Sequence, residues 1–443
     1  MANRNPEQYL LSDAQHQAIF DQHIKPLVFQ RAEWQGVPTA VIFGGQPGAG
    51  KSAAVEQASA EFAKKGGAVR IIGDELRAFH PKFAELMGKD DQTAAFYTDR
   101  DSGRWVEKAI DHARKSQVNI VIEGTMRDPQ KVADTMKGLL EAGYKIDARA
   151  LAVNERLSWQ GVLQRYESQQ MDRGAGRMTT KEAHSAAYSG MLETITRIET
   201  EKLADHVKVY QRGGVLIYAN EATEGRWSFP PQARQLIEAE RSRPFTTDER
   251  ANYAKGFDQL VDMVNRPERR ATPRQIKEIA ALQQAAHQEL AMPAIAMQER
   301  LVVSNGSRRI ERSTDTKSWV ASKIEGAGNL VPGIYNLYDA QAADRSKNAT
   351  HSGTVVHLTR DSVYQQTVSN LVRHPRHLFD AVPDVGRNMN ITYRAGRITQ
   401  LQSETTPSNN PYSLGKGGAS PATSVTKSST ASLQINPKKS LGR

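Results

Sequence analysis

The sequence predicts an α/β protein: a parallel β-sheet flanked by helices is followed by a helical connector, a small α+β domain and a disordered tail. Three observations support this prediction. Short apolar runs alternate with helical segments through the first half of the chain, as they do in parallel sheets. A glycine-rich turn separates the first strand from the first long helix. Residues 401–443 contain few large apolar side chains to offset the entropy cost of ordering.

Composition limits the class of protein. The chain has 443 residues, enough for two or three domains, and contains no cysteine. Disulfides, thiolate nucleophiles and thiolate metal sites are therefore excluded. No apolar run is long enough to cross a bilayer and no apolar signal segment follows Met1, so we expect a cytoplasmic protein without a membrane partner. The net charge of +10 suits nucleotides, nucleic acid or an acidic protein as partners.

Apolar spacing and turn residues predict the elements of a first domain, residues 1–222. One or two helices over residues 11–29 begin at the N-cap Ser12-Asp13. The predicted strands are residues 40–43, 69–72, 118–122 and 145–153, with a terminal pair at 207–210 and 215–218. The predicted helices are residues 51–64, 90–115, 129–141, 157–171 and 179–203.

The remainder of the chain divides by composition. Residues 223–325 are charged and rich in alanine and glutamine without a sheet signal, and we expect a helical connector. Residues 326–400 contain short β-like runs, which predict the small α+β domain. Residues 401–443 are rich in Ser, Thr, Asn, Gly and Lys and are expected to form a disordered basic tail.

A phosphate-binding pattern, G-x-x-x-x-G-K-S, directly follows the first predicted strand. Its glycines tolerate positive φ and let the backbone wrap closely around a triphosphate, with N–H groups directed at the phosphate oxygens. Lys51 would reach the β- and γ-phosphates, and the Ser52 hydroxyl would ligate Mg²⁺. We therefore expect ATP or GTP to bind at Gly45, Gln46, Pro47, Gly48, Ala49, Gly50, Lys51 and Ser52.

Two acids follow neighbouring strands, where ligands bind in parallel sheets. Asp74 is a candidate base for an acceptor hydroxyl, although an aspartate there can also cap the next helix. Glu123 follows a buried strand and needs a partner such as Mg²⁺ or the acceptor.

Two arginines are candidates for neutralising the transferred phosphoryl group. Arg165 lies on the helix after the fourth strand, and Arg177 lies in a glycine-bearing loop that suits a lid. Taken singly, each fits a solvated surface residue better than a catalytic one. Arg173, in the same loop, competes with Arg177 for the role.

These residues together resemble the zeta toxins, P-loop kinases of bacterial toxin–antitoxin systems. The resemblance covers about residues 10–220 and depends on an ordered set of motifs rather than on the phosphate-binding pattern alone. The matching segments are 44–52, 73–77 with 80–81, 122–125, 165–167, and Arg177 followed by 181–184.

The resemblance implies an ATP- or GTP-dependent kinase that phosphorylates the 3′-hydroxyl of UDP-N-acetylglucosamine and blocks cell-wall precursor synthesis. It also implies an inhibitory antitoxin. The implied roles fall on Lys51 and Ser52 for nucleotide and metal, Asp74 as the base, Arg165 and Arg177 as phosphate clamps, Glu123 and Thr125 at the sugar, and Glu107 as a further sugar-binding acid.

Residues 330–398 resemble the KfrB-type domain of broad-host-range plasmid proteins. The resemblance rests on residues 331–338, 357–358, 363–366, 373–374, 379, 385–386 and 391–393. It implies a plasmid-borne protein, with a plasmid-maintenance protein or DNA as a possible partner of the C-terminal half. A small domain whose aromatic residues only form its core is the other interpretation.

Two other functions stay open from the sequence. One is a kinase of similar fold acting on another small molecule or on a nucleic-acid end, where the basic charge would help. The other is a plasmid-maintenance or DNA-associated adaptor in which the nucleotide site is a switch. The set of Asp74, Glu123 and the arginines exceeds what a switch needs, which favours a kinase.

Overall fold

The computed structural model describes residues 5, 7–30, 32–293, 295–346 and 348–403. Its first half begins with α1 (Asp13–Ile19), a π-helical turn (Phe20–Ile24) and α2 (Lys25–Val28). The strands that follow are β1 (Thr39–Gly44), β2 (Val69–Ile72), β3 (Ile120–Glu123), β4 (Lys145–Ala152), β5 (His206–Gln211), β6 (Leu216–Thr223) and β7 (Arg226–Trp227). The helices between them are α3 (Lys51–Ala60), α4 (Gly73–Leu76), α5 (Phe83–Lys89), α6 (Ala94–Ser116), α7 (Pro129–Glu141), α8 (Glu155–Arg173) and α9 (Lys181–Glu201).

The centre of the sheet is parallel, with neighbouring strands in the order β2-β3-β1-β4-β5, and β6 continues it antiparallel to β5. Glu123 is in register with Phe43 on β1 and with Ile72 on β2, so three strands end at one level. The prediction of a parallel sheet flanked by helices is confirmed. This arrangement brings the loops after β1, β2 and β3 to one edge of the sheet.

The segment expected to be a helical connector contains three helices: α10 (Ala233–Ser242), α11 (Thr247–Val264) and α12 (Pro273–Leu290). Besides the short β7, it contains three further strands that the sequence analysis did not predict: β8 (Gln298–Ser304), β9 (Ser307–Ser313) and β10 (Val320–Gly326). β10 pairs with β6, so β8, β9 and β10 extend the first sheet. The helices therefore connect two parts of one sheet.

The hairpin of β8 and β9 had a recognisable signal. Asn305 and Gly306 form its two-residue turn with φ of 49° and 75°, the pair of positive angles that type I′ turns require. The arginines and glutamates that alternate with apolar residues on these strands give the segment a charged composition typical of exposed helix. Asparagine-glycine between two apolar runs was the better indicator.

The small domain is a six-stranded sheet in the order β12-β15-β14-β13-β16-β17. Its elements are β12 (Gln341–Ala342), β13 (Thr350–Leu358), β14 (Ser362–Thr367), β15 (Leu371–Pro375), β16 (Asn388–Arg394) and β17 (Arg397–Ser403), while β11 (Gly333–Tyr335) joins the first sheet beside β8. Within the described residues from 330 onward the helical turns are 3₁₀ turns, so this domain is all-β rather than the predicted α+β.

The two sheets share an apolar cluster. Leu301 and Val303 of β8 and Ile310 of β9 pack in one cluster with Val356 of β13 and Tyr364 of β14. All five are buried. The hairpin that the sequence analysis missed therefore packs against the small domain.

The first three residues of the predicted tail lie in a strand. β17 extends to Ser403, so residues 401–403 belong to a strand, and the rest of the predicted tail lies outside the described residues. The division into domains at residues 222, 325 and 400 stays a prediction. Among the helices of the described residues, none is both long enough and apolar enough to cross a membrane.

Candidate active site

The glycine-rich loop lies between the end of β1 at Gly44 and the start of α3 at Lys51. Gly48 and Gly50 have φ of 76° and 93°, which only glycine adopts without strain. A Cβ on Gly48 would lie 2.0 Å from the carbonyl oxygen of Ser158, so α8 packs directly against this loop. The loop has the geometry that the sequence predicted.

Lys51 lies at the centre of the site and is 8% exposed. Its Nζ donates hydrogen bonds to the carbonyl oxygens of Gly45 at 2.8 Å and Gln46 at 3.2 Å, and it lies 3.9 Å from Oε1 of Glu123. Burial lowers the pKa of Lys51 to about 8; the Glu123 carboxylate opposes this shift, whereas Arg165 and Arg177 add to it. The structure thus brings an acid and two arginines into the electrostatic environment of the lysine.

Arg165 projects from α8 and is half-buried. Its guanidinium donates to Oγ1 of Thr179 at 2.9 Å, while its Nε has no hydrogen-bond partner among the described residues. Burial lowers the pKa of Arg165, and Glu123 opposes that shift. A half-buried guanidinium with a donor that no protein group uses is well placed to receive an anion.

Asp74 begins the helical turn after β2, and its carboxylate forms ion pairs with Arg177 and with Arg77, the latter at 3.2 Å. The aspartate side chain is 43% exposed and that of Arg177 is 17% exposed. Burial lowers the pKa of Arg177 to about 10. Asp74 therefore faces the loop that was predicted to be a lid, and Arg177 rather than Arg173, which is exposed at the end of α8, reaches it.

Asp91 holds the loop that contains Gly176 and Arg177 in place through hydrogen bonds. Its carboxylate accepts hydrogen bonds from the backbone N–H of Gly176 at 2.9 Å, from Tyr166 at 3.3 Å and from Gln170. The backbone N–H of Arg177 also donates to Oε1 of Gln169 at 2.8 Å. The side chain of Arg177 is thus held over Asp74 by the end of α8.

Three other predicted residues have different surroundings. Ser52 is exposed in the first turn of α3, and Thr125 is half-buried just after β3. Glu107, on α6, is 56% exposed and pairs with Lys131 of α7 at 2.5 Å. The contacts of Glu107 therefore do not join it to the other predicted site residues, and its role stays a prediction.

Gln46 reveals a neighbour that the sequence analysis missed. Its side chain is fully buried, donating to the carbonyl oxygen of Val153 at 2.7 Å and to Oγ of Ser158 at 3.1 Å. Its Oε1 accepts from Arg241 of α10 at 3.1 Å. No motif marked Arg241, because it lies in a charged helix with many similar residues.

Comparison with known proteins gives the family. The Zeta toxin family model matches residues 28–223. A toxin zeta of Enterococcus hirae is 30% identical over 214 residues, which is 48% of this chain and 72% of that protein. The chain belongs to the zeta toxin family. The toxin PezT of Streptococcus pneumoniae is a similar relative, 29% identical over 46% of this chain and 80% of its own length.

The fold of this zeta toxin family member also resembles a solved structure. A chain of the PezAT chromosomal toxin–antitoxin system of Streptococcus pneumoniae matches with a TM-score of 0.50 and 21% identity, covering 58% of this chain and all of that one. The KfrB domain model matches residues 350–402. A protein TraB of Escherichia coli is 35% identical over 22% of this chain and 67% of its own length.

The metal site expected in a zeta toxin depends on few protein ligands. Among the described residues no group of three or more His, Asp and Glu side chains could hold a metal ion by itself. The Ser52 hydroxyl is exposed at the start of α3, and the Glu123 side chain is 14% exposed beside Lys51. One hydroxyl and one nearby carboxylate fit Mg²⁺ that is held mainly by phosphate oxygens and water.

Proposed function

We propose that this zeta toxin family member is a toxin-type P-loop kinase. It transfers the γ-phosphoryl group of ATP or GTP to the 3′-hydroxyl of UDP-N-acetylglucosamine and thereby blocks cell-wall precursor synthesis. Family membership supports a P-loop kinase, and the resemblance of the site motifs supports the sugar nucleotide as acceptor.

The observation that carries the proposal is the cluster of charges at the ends of β1, β2 and β3. Three cations, Lys51, Arg165 and Arg177, surround two carboxylates, Glu123 and Asp74. Partly desolvated cations gain most from a polyanion, since their own hydration has been lost. A triphosphate and a transferring phosphoryl group are the ligands that such a cluster suits.

The proposed reaction uses Asp74 as the base. Its carboxylate takes the proton from the acceptor hydroxyl while the hydroxyl oxygen forms a bond to the γ-phosphorus, and the bond from phosphorus to the β–γ bridging oxygen breaks to release the nucleoside diphosphate. Arg177 exchanges its ion pair with Asp74 for the phosphoryl oxygens, which frees the carboxylate. Lys51 holds the β- and γ-phosphates, and Arg165 adds a second fixed cation.

Magnesium would complete the charge balance. Ser52 would hold the ion, with Glu123 through water, and the bound ion would supply charge neutralisation between the β- and γ-phosphates. In the proposal Glu123 and Thr125 line the sugar site, and Glu107 is the most peripheral of the sugar-binding residues.

The proposal is tested with the purified full-length chain, ATP or GTP, Mg²⁺ and UDP-N-acetylglucosamine. We expect a phosphorylated sugar nucleotide by mass spectrometry. Asp74→Asn should retain nucleotide binding and lower kcat by about 100- to 10,000-fold, the usual range for a general base. Asp99→Asn is the matched control, because Asp99 also pairs with Arg77. Near-normal transfer by Asp74→Asn would refute its role, and nucleotide binding without any sugar product would refute the acceptor.

We also infer an inhibitory antitoxin as a partner. Membership in a toxin family supports this, since an unrestrained enzyme of this kind would stop the growth of its own cell. Expression of the full chain in a bacterium should arrest growth, whereas expression of Asp74→Asn should not. Normal growth with active kinase present would argue against both toxicity and the need for an antitoxin.

A second candidate function concerns the C-terminal half. The KfrB domain match and the similarity to TraB favour a role in plasmid maintenance, with a plasmid protein or DNA as partner. In that case the full chain should bind plasmid DNA or a partition protein, and Asp74→Asn should leave plasmid stability unchanged. Loss of plasmid stability in Asp74→Asn would assign the effect to the kinase instead.

A further inference from the structure

The strongest unassigned feature is a buried arginine behind the phosphate-binding loop. Arg241 lies on α10, beyond residue 223 where the family model ends, and it is only 3% exposed. Its sequence distance from the loop is large, since 195 residues separate it from Gln46.

The contacts of Arg241 are all with uncharged groups. One terminal nitrogen donates to the carbonyl oxygen of Tyr188 at 2.6 Å, and the other donates to Oε1 of Gln46 at 3.1 Å. The guanidinium lies over the Tyr188 ring, with 3.9 Å between its central carbon and the ring centroid. Its Nε has no hydrogen-bond partner, and no carboxylate lies within ion-pair distance among the described residues.

A buried cation without a carboxylate is unfavourable by itself. Burial lowers the pKa of Arg241 to about 10, and the more distant Glu155 and Glu238 carboxylates, together with Tyr188, oppose this shift only in part. In a site of low polarity the missing counter-charge can come from a ligand, and the nearest ligand site that the sequence indicates is the loop that Gln46 belongs to.

Gln46 is the link between this cation and the loop. The same amide that accepts from Arg241 donates to Val153 and Ser158, and Ser158 shares a hydrogen bond of 2.9 Å with Nε2 of His184. Every polar atom of the Gln46 side chain therefore has a partner. The backbone carbonyl of Gln46 in turn accepts from Lys51, so the position of this residue affects the lysine directly.

We propose that Arg241 is a positioning residue of the nucleotide site: it fixes Gln46, and through Gln46 the phosphate-binding loop, in the conformation that receives a nucleoside triphosphate. The inference rests on the proposed nucleotide-dependent function. It makes α10 part of the catalytic unit, although the family model ends before it.

Removal of Arg241 should weaken nucleotide binding. Without the guanidinium, the Gln46 amide oxygen is buried and has no hydrogen-bond donor. Either the Gln46 side chain then leaves its pocket, or the loop loses its fixed conformation and must be ordered when the nucleotide binds. Loss of a hydrogen bond to a charged group weakens binding by about tenfold or more. The positive charge behind the loop is lost as well.

The experiment measures ATP binding to the full-length chain by calorimetry. Arg241→Met should weaken the affinity by about tenfold or more, and Arg241→Lys should recover part of it by restoring the charge. Arg250→Met is the matched control, because Arg250 is a buried arginine of α11 whose hydrogen bonds, within the described part of the chain, go only to the backbone carbonyls of Glu289, Met292 and Pro293. The control should lose thermal stability but keep its affinity for ATP.

A double-mutant cycle tests whether Arg241 affects ATP binding through Gln46. If Arg241 acts through Gln46, Gln46→Leu should weaken binding to a similar degree, and the double variant should be no weaker than the single ones. Arg241→Gln replaces the methionine variant if the latter fails to fold. Equal ATP affinity of the Arg241 variants and the unsubstituted chain would overturn the proposal, as would equal losses in the Arg250 control.

Measuring ATP binding tests the proposal for Arg241 separately from the proposed phosphorylation of the sugar nucleotide. ATP binding does not depend on the identity of the acceptor, so failure to phosphorylate UDP-N-acetylglucosamine would leave the Arg241 prediction open to the same measurement and would overturn the acceptor alone. Absence of ATP binding by the unsubstituted chain would overturn both.

Discussion

Lys51 shows how burial prepares a single residue for its ligand. Its ammonium group donates to two carbonyl oxygens of its own loop and lies near Glu123. These partners are weaker than a triphosphate, so the desolvated cation is incompletely balanced. The pKa lowered to about 8 expresses that imbalance.

Replacing Lys51 by alanine should remove its contribution to the binding of ATP. Lys51→Ala should weaken binding of ATP by about 100-fold, because it removes a charge-assisted contact to the phosphates, and it should lower turnover with it. Calorimetry with ATP and with adenosine separates the phosphate contacts from those to the base. Unchanged ATP affinity in the variant would contradict the assignment of the loop.

The same lysine should make nucleotide binding depend on pH. In the free protein Lys51 loses its proton near pH 8, whereas bound phosphates would keep it protonated. Affinity for ATP should therefore be constant below about pH 8 and fall above it, by up to about tenfold for each pH unit. Lys51→Arg, which stays charged, should show no such break. An affinity that is independent of pH between 7 and 9.5 would contradict the prediction.

At the scale of the elements, α8 positions most of the site. Gly161 on this helix lies so close to the loop that a Cβ there would be 2.4 Å from the carbonyl oxygen of Gly48, and Arg165 is one turn further along. The other side of α8 is held by a buried ion pair, in which Arg269 donates to Glu167 at 2.5 and 3.1 Å. The segment between α11 and α12, which contains Arg269, thus stabilises the helix that carries Arg165.

Breaking that ion pair should affect both stability and catalysis. Arg269→Met leaves the Glu167 carboxylate buried without its partner, which should cost about 3–5 kcal/mol of stability. It should also lower kcat more than ATP affinity, since Arg165 loses its support while the loop is unchanged. Arg274→Met is the control, because Arg274 forms an exposed pair with Glu278 and should change stability by less than about 1 kcal/mol. Thermal unfolding and steady-state kinetics of both variants check the prediction.

At the scale of the whole molecule, the small β domain depends on a buried histidine. His374 is fully buried between Tyr393, 2.9 Å from Nδ1, and Gln365, 3.1 Å from Nε2. Burial lowers its pKa to about 3, with a smaller contribution from His351. Gln365 also donates to the carbonyl oxygens of Gly353 and Met389, so one polar network joins β13, β14, β15 and β16.

This histidine should make the small domain sensitive to acid. Unfolded histidine binds a proton below about pH 6.5, whereas folded His374 resists protonation down to about pH 3. Stability should therefore decline as the pH falls from 6.5 towards 3, by up to a tenfold increase in the unfolding equilibrium for each pH unit. His374→Gln should reduce this slope, and His377→Gln, an exposed neighbour, should not. Equal slopes for both variants would show that other groups control acid unfolding.

The sequence predicted the elements whose signals are local. The apolar runs of β1, β2, β3 and β4 and the glycine-rich loop were sufficient to place Lys51, Asp74 and Glu123 at one edge of a parallel sheet. Alternation of strands and helices fixes that topology, because parallel strands end at the same level. The strands β8 and β9 were missed because their charged alternation resembled exposed helix, although their asparagine-glycine turn was visible.

The chain by itself therefore determined the family, the parallel sheet and the residues that meet at its edge, since each depends on a short motif or on local periodicity. Only the tertiary structure decided which arginine near the end of α8 faces Asp74, that β8–β10 extend the sheet, and that Arg241 reaches Gln46 across 195 residues. Such contacts depend on how helices pack and on where buried polar groups find partners, and no local pattern in the sequence encodes that pairing.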